Sequence, residues 1–279
     1  MTKEFRSVNQ RFIANGDVSL SVAEYGDEAS PAVILIHGIS NRADGWLTVI
    51  PALAESFRVL AMDLRGHGQS GHPASGYRHA DYAADLQAVI EAYRLPAPLI
   101  VGHSLGGMVA LHWATEHPDV AAALVIEESP LSVGPGAEAT FAAWLSLSGM
   151  SLETVLATYR AEQPHLPPEQ IQRRAESMAE TAPAVFHEEL ATARAGFDTD
   201  HIGPLAVIRS PVLLVHGDLE AGGMVPLSDA RQFAGTVPRS RVERLAGGSH
   251  HLHRDRSDAF LRLVIPFLRE HAGGNQPGT

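Results

Sequence analysis

Short strand-like runs, most of them apolar, recur along this chain, and longer stretches with apolar positions three and four apart lie between them. The runs are "AVILIHG" (32–38), "RVLAMDL" (58–64), "PLIVGHS" (98–104), "AALVIEES" (122–129), "PVLLVHGD" (211–218) and "SRVERLAG" (240–247). A strand covered on both faces reads as such a run, so these predict a mostly parallel sheet. Two alternating stretches come first, "EFRSVNQRFIA" (4–14) and "DVSLSVAEYG" (17–26), and predict an antiparallel start. Helical spacing appears in "HADYAADLQAVIEAYRL" (79–95), in "LGGMVALHWATEHP" (105–118), which stops at Pro118, and in "RSDAFLRLVIPFLREH" (256–271). Alternating strands and helices predict an α/β fold built from crossover units. From Pro130 to Ser210 the pattern is helical without a strand signal, which predicts an inserted helical layer. The expected organisation is a core of 1–129 and 205–273, a helical cap over 130–204, and a flexible tail over 274–279.

Composition narrows the partners. With 279 residues, 45% apolar and 19% charged, the chain is long enough for one sizeable core. Its net charge of -11 disfavours nucleic acid or an anionic membrane as partner, since either calls for a basic face. There is no cysteine, which excludes disulfides, thiolate catalysis and cysteine-ligated zinc. "MTKEFRSVNQ" lacks an apolar signal region, and no run approaches the roughly 20 apolar residues of a membrane span, so the expected location is cytoplasmic. The partner expected is a small-molecule substrate, and a homodimer stays open.

The chemistry is concentrated at the ends of the runs. "PLIVGHSLGG" (98–107) is a strand, a sharp glycine-rich turn and a helix start, with Ser104 at the bend. That context suits a nucleophile elbow: Gly102 and Gly106 leave room for a tight turn, and Ser104 stands at a helix N-terminus that favours negative charge. The alternative is a glycine turn with a serine cap. A lone serine hydroxyl is a weak nucleophile and needs a base. "LAGGSHHLHRD" (245–255) follows the last strand and offers His250, with His251 and His253 as rivals; the alternative is a solvated or metal-binding histidine loop. An oxyanion hole needs two converging amides, and Ile39 after Gly38 and Leu105 after Ser104 are placed to supply them.

Taken together, "HG" at 37–38 with Trp46 downstream, "DLRGHGQS" (63–70), "GHSLGG" (102–107), "PVLLVHGD" (211–218) and "GGSHHLHRD" (247–255) resemble the α/β-hydrolase superfamily over nearly the whole chain. The resemblance implies an eight-stranded, mostly parallel sheet flanked by helices with a helical cap, nucleophile Ser104, base His250 and oxyanion donors Ile39 and Leu105. It gives "DLRGHGQS" a scaffolding role. The acid departs from the commonest family pattern, which puts Asp three residues after the glycine corresponding to Gly217; Glu220 stands there, and Asp218 is a weaker candidate. Glu128, after "AALVIE", is the favoured acid, in a placement that resembles zearalenone lactone hydrolases and some haloalkane dehalogenases. Serine at 104 sets the chain apart from the dehalogenase and epoxide-hydrolase branches, which use Asp there.

The activity this implies is hydrolysis of a carboxylic ester or lactone of a small to medium apolar substrate through an acyl-enzyme, with no cofactor and no metal. A C–C bond (diketone) hydrolase with the same triad and a small-molecule receptor on the same fold are the alternatives. His103, Trp144, Met150 and Tyr159 are candidate substrate-binding residues, and Leu156, Met178 and Phe186 share the apolar character of the cap. Packing is the default role for such residues. Arg160, Arg173, Arg174 and Arg194 are candidates to pair a substrate carboxylate, with solvation as the default.

Overall fold

A computed structural model describes residues 9–132, 134, 136–164, 166–195 and 201–273; the expected tail of 274–279 lies outside them. Each apolar run forms a strand: β1 (Asn9–Asn15), β2 (Val18–Tyr25), β3 (Ala32–Ile36), β4 (Arg58–Met62), β5 (Leu99–His103), β6 (Ala123–Glu127), β7 (Val212–His216) and β8 (Ser240–Arg244). They make one eight-stranded sheet in the order β1-β2-β4-β3-β5-β6-β7-β8. β1 pairs antiparallel with β2, and β2 with β4; every other pair is parallel. The β1–β2 reversal turns on Gly16, whose φ of 60° an L side chain rarely adopts.

Side chains alternate between the two faces, and both faces are covered. Ile34 and Ile36 of β3 join Leu86 of α2 (His79–Ala92), Val109 of α3 (Leu105–Glu116) and Phe233 of α8 (Leu227–Thr236). Val33 and Leu35 face the other way, toward Leu53 of α1 (Ile50–Leu53) and Phe260 and Val264 of α10 (Ser257–His271). Each such fully buried aliphatic side chain stabilises the fold by roughly 1.5–3 kcal/mol. Four helices, α4 (Ala137–Leu147), α5 (Leu152–Glu162), α6 (Pro168–Glu180) and α7 (Pro183–Ala195), separate β6 from β7, and Val155, Ile171, Met178 and Phe186 form their own apolar cluster.

Register aligns the chemistry. Ile36 pairs with Gly102, His103 with Glu127, and Glu127 with Val215, so the strands finish at one edge. The loops that leave this edge carry Ile39, Ser104, Glu128 and Gly217, and the loop after β8 carries His250. Open α/β sheets bind ligands at this carboxyl edge. Among the described residues, no helix is long and apolar enough to cross a membrane.

Candidate active site

Ser104 sits between β5 and α3 with φ 51° and ψ -120°. A Cβ on Gly102 would lie 2.7 Å from the Gly107 Cα, and one on Gly106 would lie 2.6 Å from the Ile36 carbonyl carbon, so both positions admit only glycine without rearrangement. The Ser104 amide donates to the Glu127 carbonyl at 2.9 Å, which pins the strained residue to β6. Ser40 (φ 52°), Ser104 and Glu128 (φ 47°) are three of four non-glycine residues with positive φ among those described, and all three stand at this edge. Such strain costs about 1–3 kcal/mol per residue and persists only where surrounding contacts enforce it.

The two amides expected for an oxyanion flank the serine. Leu105 opens α3, where first-turn amides have no intrahelical acceptor. Gly38 lies against Ser104: a Cβ there would sit 3.0 Å from the Ser104 Cβ and 2.8 Å from the His103 Nδ1, so its bareness brings the Gly38–Ile39 peptide close. Two buried neutral histidines brace that loop. His37 Nδ1 donates to the Gly38 carbonyl at 2.8 Å while its Nε2 accepts the Leu64 amide at 3.0 Å. His67 Nδ1 donates to the Arg65 carbonyl at 2.9 Å, and its Nε2 accepts the Ser40 amide at 3.3 Å. Burial pushes His67 down to about 3 and lowers His37 as well, so both keep the neutral form these bonds require. Asp63 of "DLRGHGQS" accepts the Ala43 amide at 2.7 Å and the Gln69 amide at 3.0 Å, a scaffolding part.

The structure brings His250 to Glu128. His250 Nδ1 faces Glu128 Oε2 at 3.5 Å, longer than a hydrogen bond, and this nitrogen has no other partner among the described residues. A shift of a few tenths of an ångström closes the bond, and catalytic hydrogen bonds commonly tighten by such shifts in a Michaelis complex. Glu128 is fixed by two backbone amides: Gly217 donates to Oε1 at 2.5 Å and Met224 to Oε2 at 2.6 Å. The loop after β7 therefore wraps its backbone around Glu128 and turns its own acids outward. Glu220 is exposed on the short turn Leu219–Ala221 and lies outside the cavity. Asp218 bonds Arg244 at 2.5 Å and the Gly247 amide at 2.8 Å, and these contacts pull it down to about 2.

A cavity of about 230 Å³ opens over Ser104 and His250. Ile39 and His103 line it from the sheet edge, and Trp144, Tyr159, Arg173 and Arg174 from α4, α5 and α6. Met150 corrects the expectation: it is 50% exposed in the turn between α4 and α5 and does not line the cavity. Met178 and Phe186 are fully buried and pack the inserted helices together. Arg160 is exposed, and Arg194 pairs with Glu138 at 2.8 Å; neither lines the cavity.

A family model for the alpha/beta hydrolase fold matches residues 31–257. The chain belongs to that family. This α/β hydrolase is 26% identical to 2-(acetamidomethylene)succinate hydrolase of Mesorhizobium japonicum over 261 residues, 91% of this chain and 92% of that one. It is also 27% identical to haloalkane dehalogenase of the same organism over 297 residues, 93% and 91% of the two chains. The crystal structure of E-2-(acetamidomethylene)succinate hydrolase superposes with a TM-score of 0.79 at 25% identity, covering 94% of this hydrolase and all but a hundredth of the other, 99%.

Sequence reasoning missed one buried pair in this hydrolase. Glu127 Oε1 accepts both the backbone amide and the Nδ1 of His253 at 2.8 Å, and both residues are buried. His253, a rival base on paper, is thereby committed to a partner beneath the loop, with its ring 4.3 Å from that of Trp46. The adjacent acids "EE" and the spacing of the three histidines were the available signal: two carboxylates after one strand and a histidine loop opposite. His103, the residue before the nucleophile, bonds the His250 carbonyl at 2.7 Å through Nε2. Burial and the neighbouring His250 and His253 drive His103 well below its ordinary range, so Nε2 carries the proton and donates. The nitrogens of His103, His250 and His251 lie within 4.8 Å of one another, as a cation would require. An Arg254 guanidinium nitrogen 3.1 Å from His251 Nδ1 already puts a positive charge beside them, which disfavours a metal there.

Proposed function

We propose that this protein hydrolyses a carboxylic ester or lactone of a small substrate through an acyl-enzyme. The observation that carries the reading is Ser104 at a strained elbow under a cavity shared with His250, whose far nitrogen faces the amide-held carboxylate of Glu128. His250 Nε2 takes the hydroxyl proton as Ser104 Oγ attacks the carbonyl carbon. The carbonyl oxygen gains the charge and lies on the Ile39 and Leu105 amides. Collapse breaks the bond to the leaving oxygen, which His250 protonates. Water then gives its proton to His250, attacks the acyl carbon and releases the acid and Ser104. Glu128 keeps the proton of neutral His250 on Nδ1 and stabilises the imidazolium.

Serine at 104 also separates this reading from haloalkane chemistry. Displacement of halide by a serine hydroxyl would leave an ether that water does not cleave, whereas an acyl-serine is hydrolysed. The cavity volume of about 230 Å³ lies below the roughly 300–1,000 Å³ of typical ligand pockets, which favours short acyl or small ring substrates. The inserted helices act as a cap that sets this size.

A panel of 4-nitrophenyl esters of rising chain length together with several lactones tests the reading. Wild-type protein turns over the shorter members, and Ser104→Ala lowers kcat by a factor on the order of 10⁶ with the fold retained. A serine-directed phosphonate labels Ser104 alone. Turnover retained in the alanine variant, or labelling elsewhere, overturns the assignment; stoichiometric cleavage without turnover favours the receptor alternative.

A further inference from the structure

Three guanidiniums meet at the cavity over Ser104. Arg173 and Arg174 reach it from α6, and Arg254 from α9 (Leu252–Asp255), just past the His250 loop. Arg254 Nη2 donates to His251 Nδ1 at 3.1 Å, and the His251 ring is 5.1 Å from that of His103, the neighbour of Ser104. The cluster is thus two rings from the nucleophile. Arg174 lies over the Tyr159 ring at 5.9 Å, a cation–π contact that orients its fork.

Guanidiniums outnumber free carboxylates at this cavity. Among the described residues none of the three forms an ion pair, whereas nearby Arg42 pairs with Asp44 at 3.0 Å, Glu176 at 3.3 Å and Glu180 at 2.7 Å. That pairing occupies Asp44, one of two carboxylates lining the cavity, and leaves Glu162 against three guanidiniums. The Nε of Arg254 is buried without an acceptor. Burial, and then the repulsion of Arg174 and Arg173, pull Arg254 down to about 10 against the opposing pull of Glu127 and Asp255. Arg173 is exposed and Arg174 and Arg254 are partly buried, so three like charges line one cavity wall with one buried donor unmet, an arrangement that an anion completes. Guanidinium forks match the oxygens of a carboxylate.

We propose that Arg254, Arg174 and Arg173 form an anion subsite that holds a carboxylate on the substrate, remote from the bond that is cleaved. This rests on the ester reading above and names its substrate class: short esters or lactones that carry a free carboxylate.

The test compares mono(4-nitrophenyl) glutarate with 4-nitrophenyl pentanoate, which differ by a carboxylate in place of a methyl group. Spontaneous hydrolysis is subtracted with Ser104→Ala. Wild type prefers the half-ester in kcat/KM by about tenfold or more, and Arg254→Gln and Arg174→Gln each lower that ratio by about tenfold. Arg194→Gln, on the surface of the cap, leaves the ratio in place. A ratio at or below one, or one that neither substitution moves, overturns the subsite. Calorimetry with glutarate, pentanoate and inorganic phosphate reads the subsite without chemistry, using wild type and Arg174→Gln, which sits on a partly exposed helix face. Glutarate binds wild type most tightly and loses that advantage in the variant. Equal binding of glutarate and pentanoate, or tighter binding of phosphate, rejects the carboxylate. If neither ester is turned over while glutarate still binds through Arg174, the acyl-transfer reading fails and the subsite stands.

Discussion

Replacing Glu128 with glutamine separates the acid's two duties. Every group facing its carboxylate is a donor: the Gly217 amide at 2.5 Å on Oε1, and the Met224 amide at 2.6 Å together with His250 Nδ1 at 3.5 Å on Oε2. A carboxylate accepts at both oxygens, but a glutamine accepts at one and donates at the other. If its NH2 replaces Oε1, the buried Gly217 amide is left facing a donor. If it replaces Oε2, the deserted amide belongs to Met224, whose bond is only part-buried and so lies nearer to water than that of Gly217. The second placement is cheaper, and it aims a donor at His250 Nδ1. The imidazole answers by moving its proton to Nε2, the tautomer that cannot accept from Ser104. Expected outcomes are a loss in kcat of about 10⁴ and a stability loss of about 1.5–3 kcal/mol from one charge-assisted bond. A protein of this size then melts only a few degrees lower, about 2–6 °C. Initial rates on the best short ester, taken well below the melting temperature, read the first number, and a thermal melt reads the second. Glu220→Gln, on an exposed turn, leaves both within about twofold. Activity of Glu128→Gln within tenfold of wild type, with Glu220→Gln the impaired variant, would refute this reasoning.

Gly38→Ala introduces a methyl 2.8 Å from His103 Nδ1 and 3.0 Å from the Ser104 Cβ. Because His103 is tethered to the His250 carbonyl, the nucleophile or the oxyanion loop must move. The expected result is a fall in kcat of about 10²-fold or more, the scale of losing one oxyanion donor, and wild-type kinetics would show the Gly38 contact to be slack. Glu189, largely covered on α7 with a His79 ring nitrogen 4.0 Å away, is pushed up to about 7 by its partial burial and by Glu188, from 4.5. The folded state keeps its proton between pH 4.5 and 7 while the unfolded chain loses it, so stability falls as pH rises through that window, by about 3 kcal/mol at most. Glu189→Gln removes the fall and melts higher than wild type at pH 8 but not at pH 4; a melting difference that is flat across pH speaks against it. Trp144→Ala, which widens the cavity from α4, shifts chain-length preference toward longer acyl groups more than it changes kcat on the shortest ester. Equal losses across the ester series assign Trp144 to packing.

The centre of the sheet was legible because β3 to β7 are buried on both faces, and an all-apolar run such as "AVILI" has few other uses in a chain of this polarity. Of the edge strands, β1 is largely exposed and β8 partly so. The helices α1, α8 and α9 were harder to see: α1 and α9 have four residues each, and α8 has only Ala230 and Phe233 buried. The elbow at Ser104, the proposed nucleophile, was legible for a local reason, since Gly102 and Gly106 flank it within one turn and the steric demand is written in adjacent letters. The proposed acid and the proposed anion subsite are not local. Glu128 meets Gly217 and Met224 across 89 and 96 residues, and its choice over Glu220 depends on which way the loop after β7 turns, a matter of backbone direction that composition does not encode.

The adjacent glutamates show how far strand geometry can go once register is known. Glu127 is the last residue of β6, and Glu128 has φ 47°, so the two side chains leave in different directions. Glu127 takes His253 beneath the loop, and Glu128 takes the face toward His250. The histidine loop is thus held at His253 by Glu127 and at the His250 carbonyl by His103, while Glu128 faces His250 Nδ1 at 3.5 Å. A loop free to move would carry His250 through many rotamers and lose about a kcal/mol or more in ordering it for each turnover. Anchoring at His253 supplies that order in advance, so a His253→Gln variant that still folds should lower kcat more than it raises KM, because it loosens the base without touching the cavity walls. The opposite split, with kcat kept and KM raised, would mean that the Glu127–His253 pair shapes the pocket rather than the base.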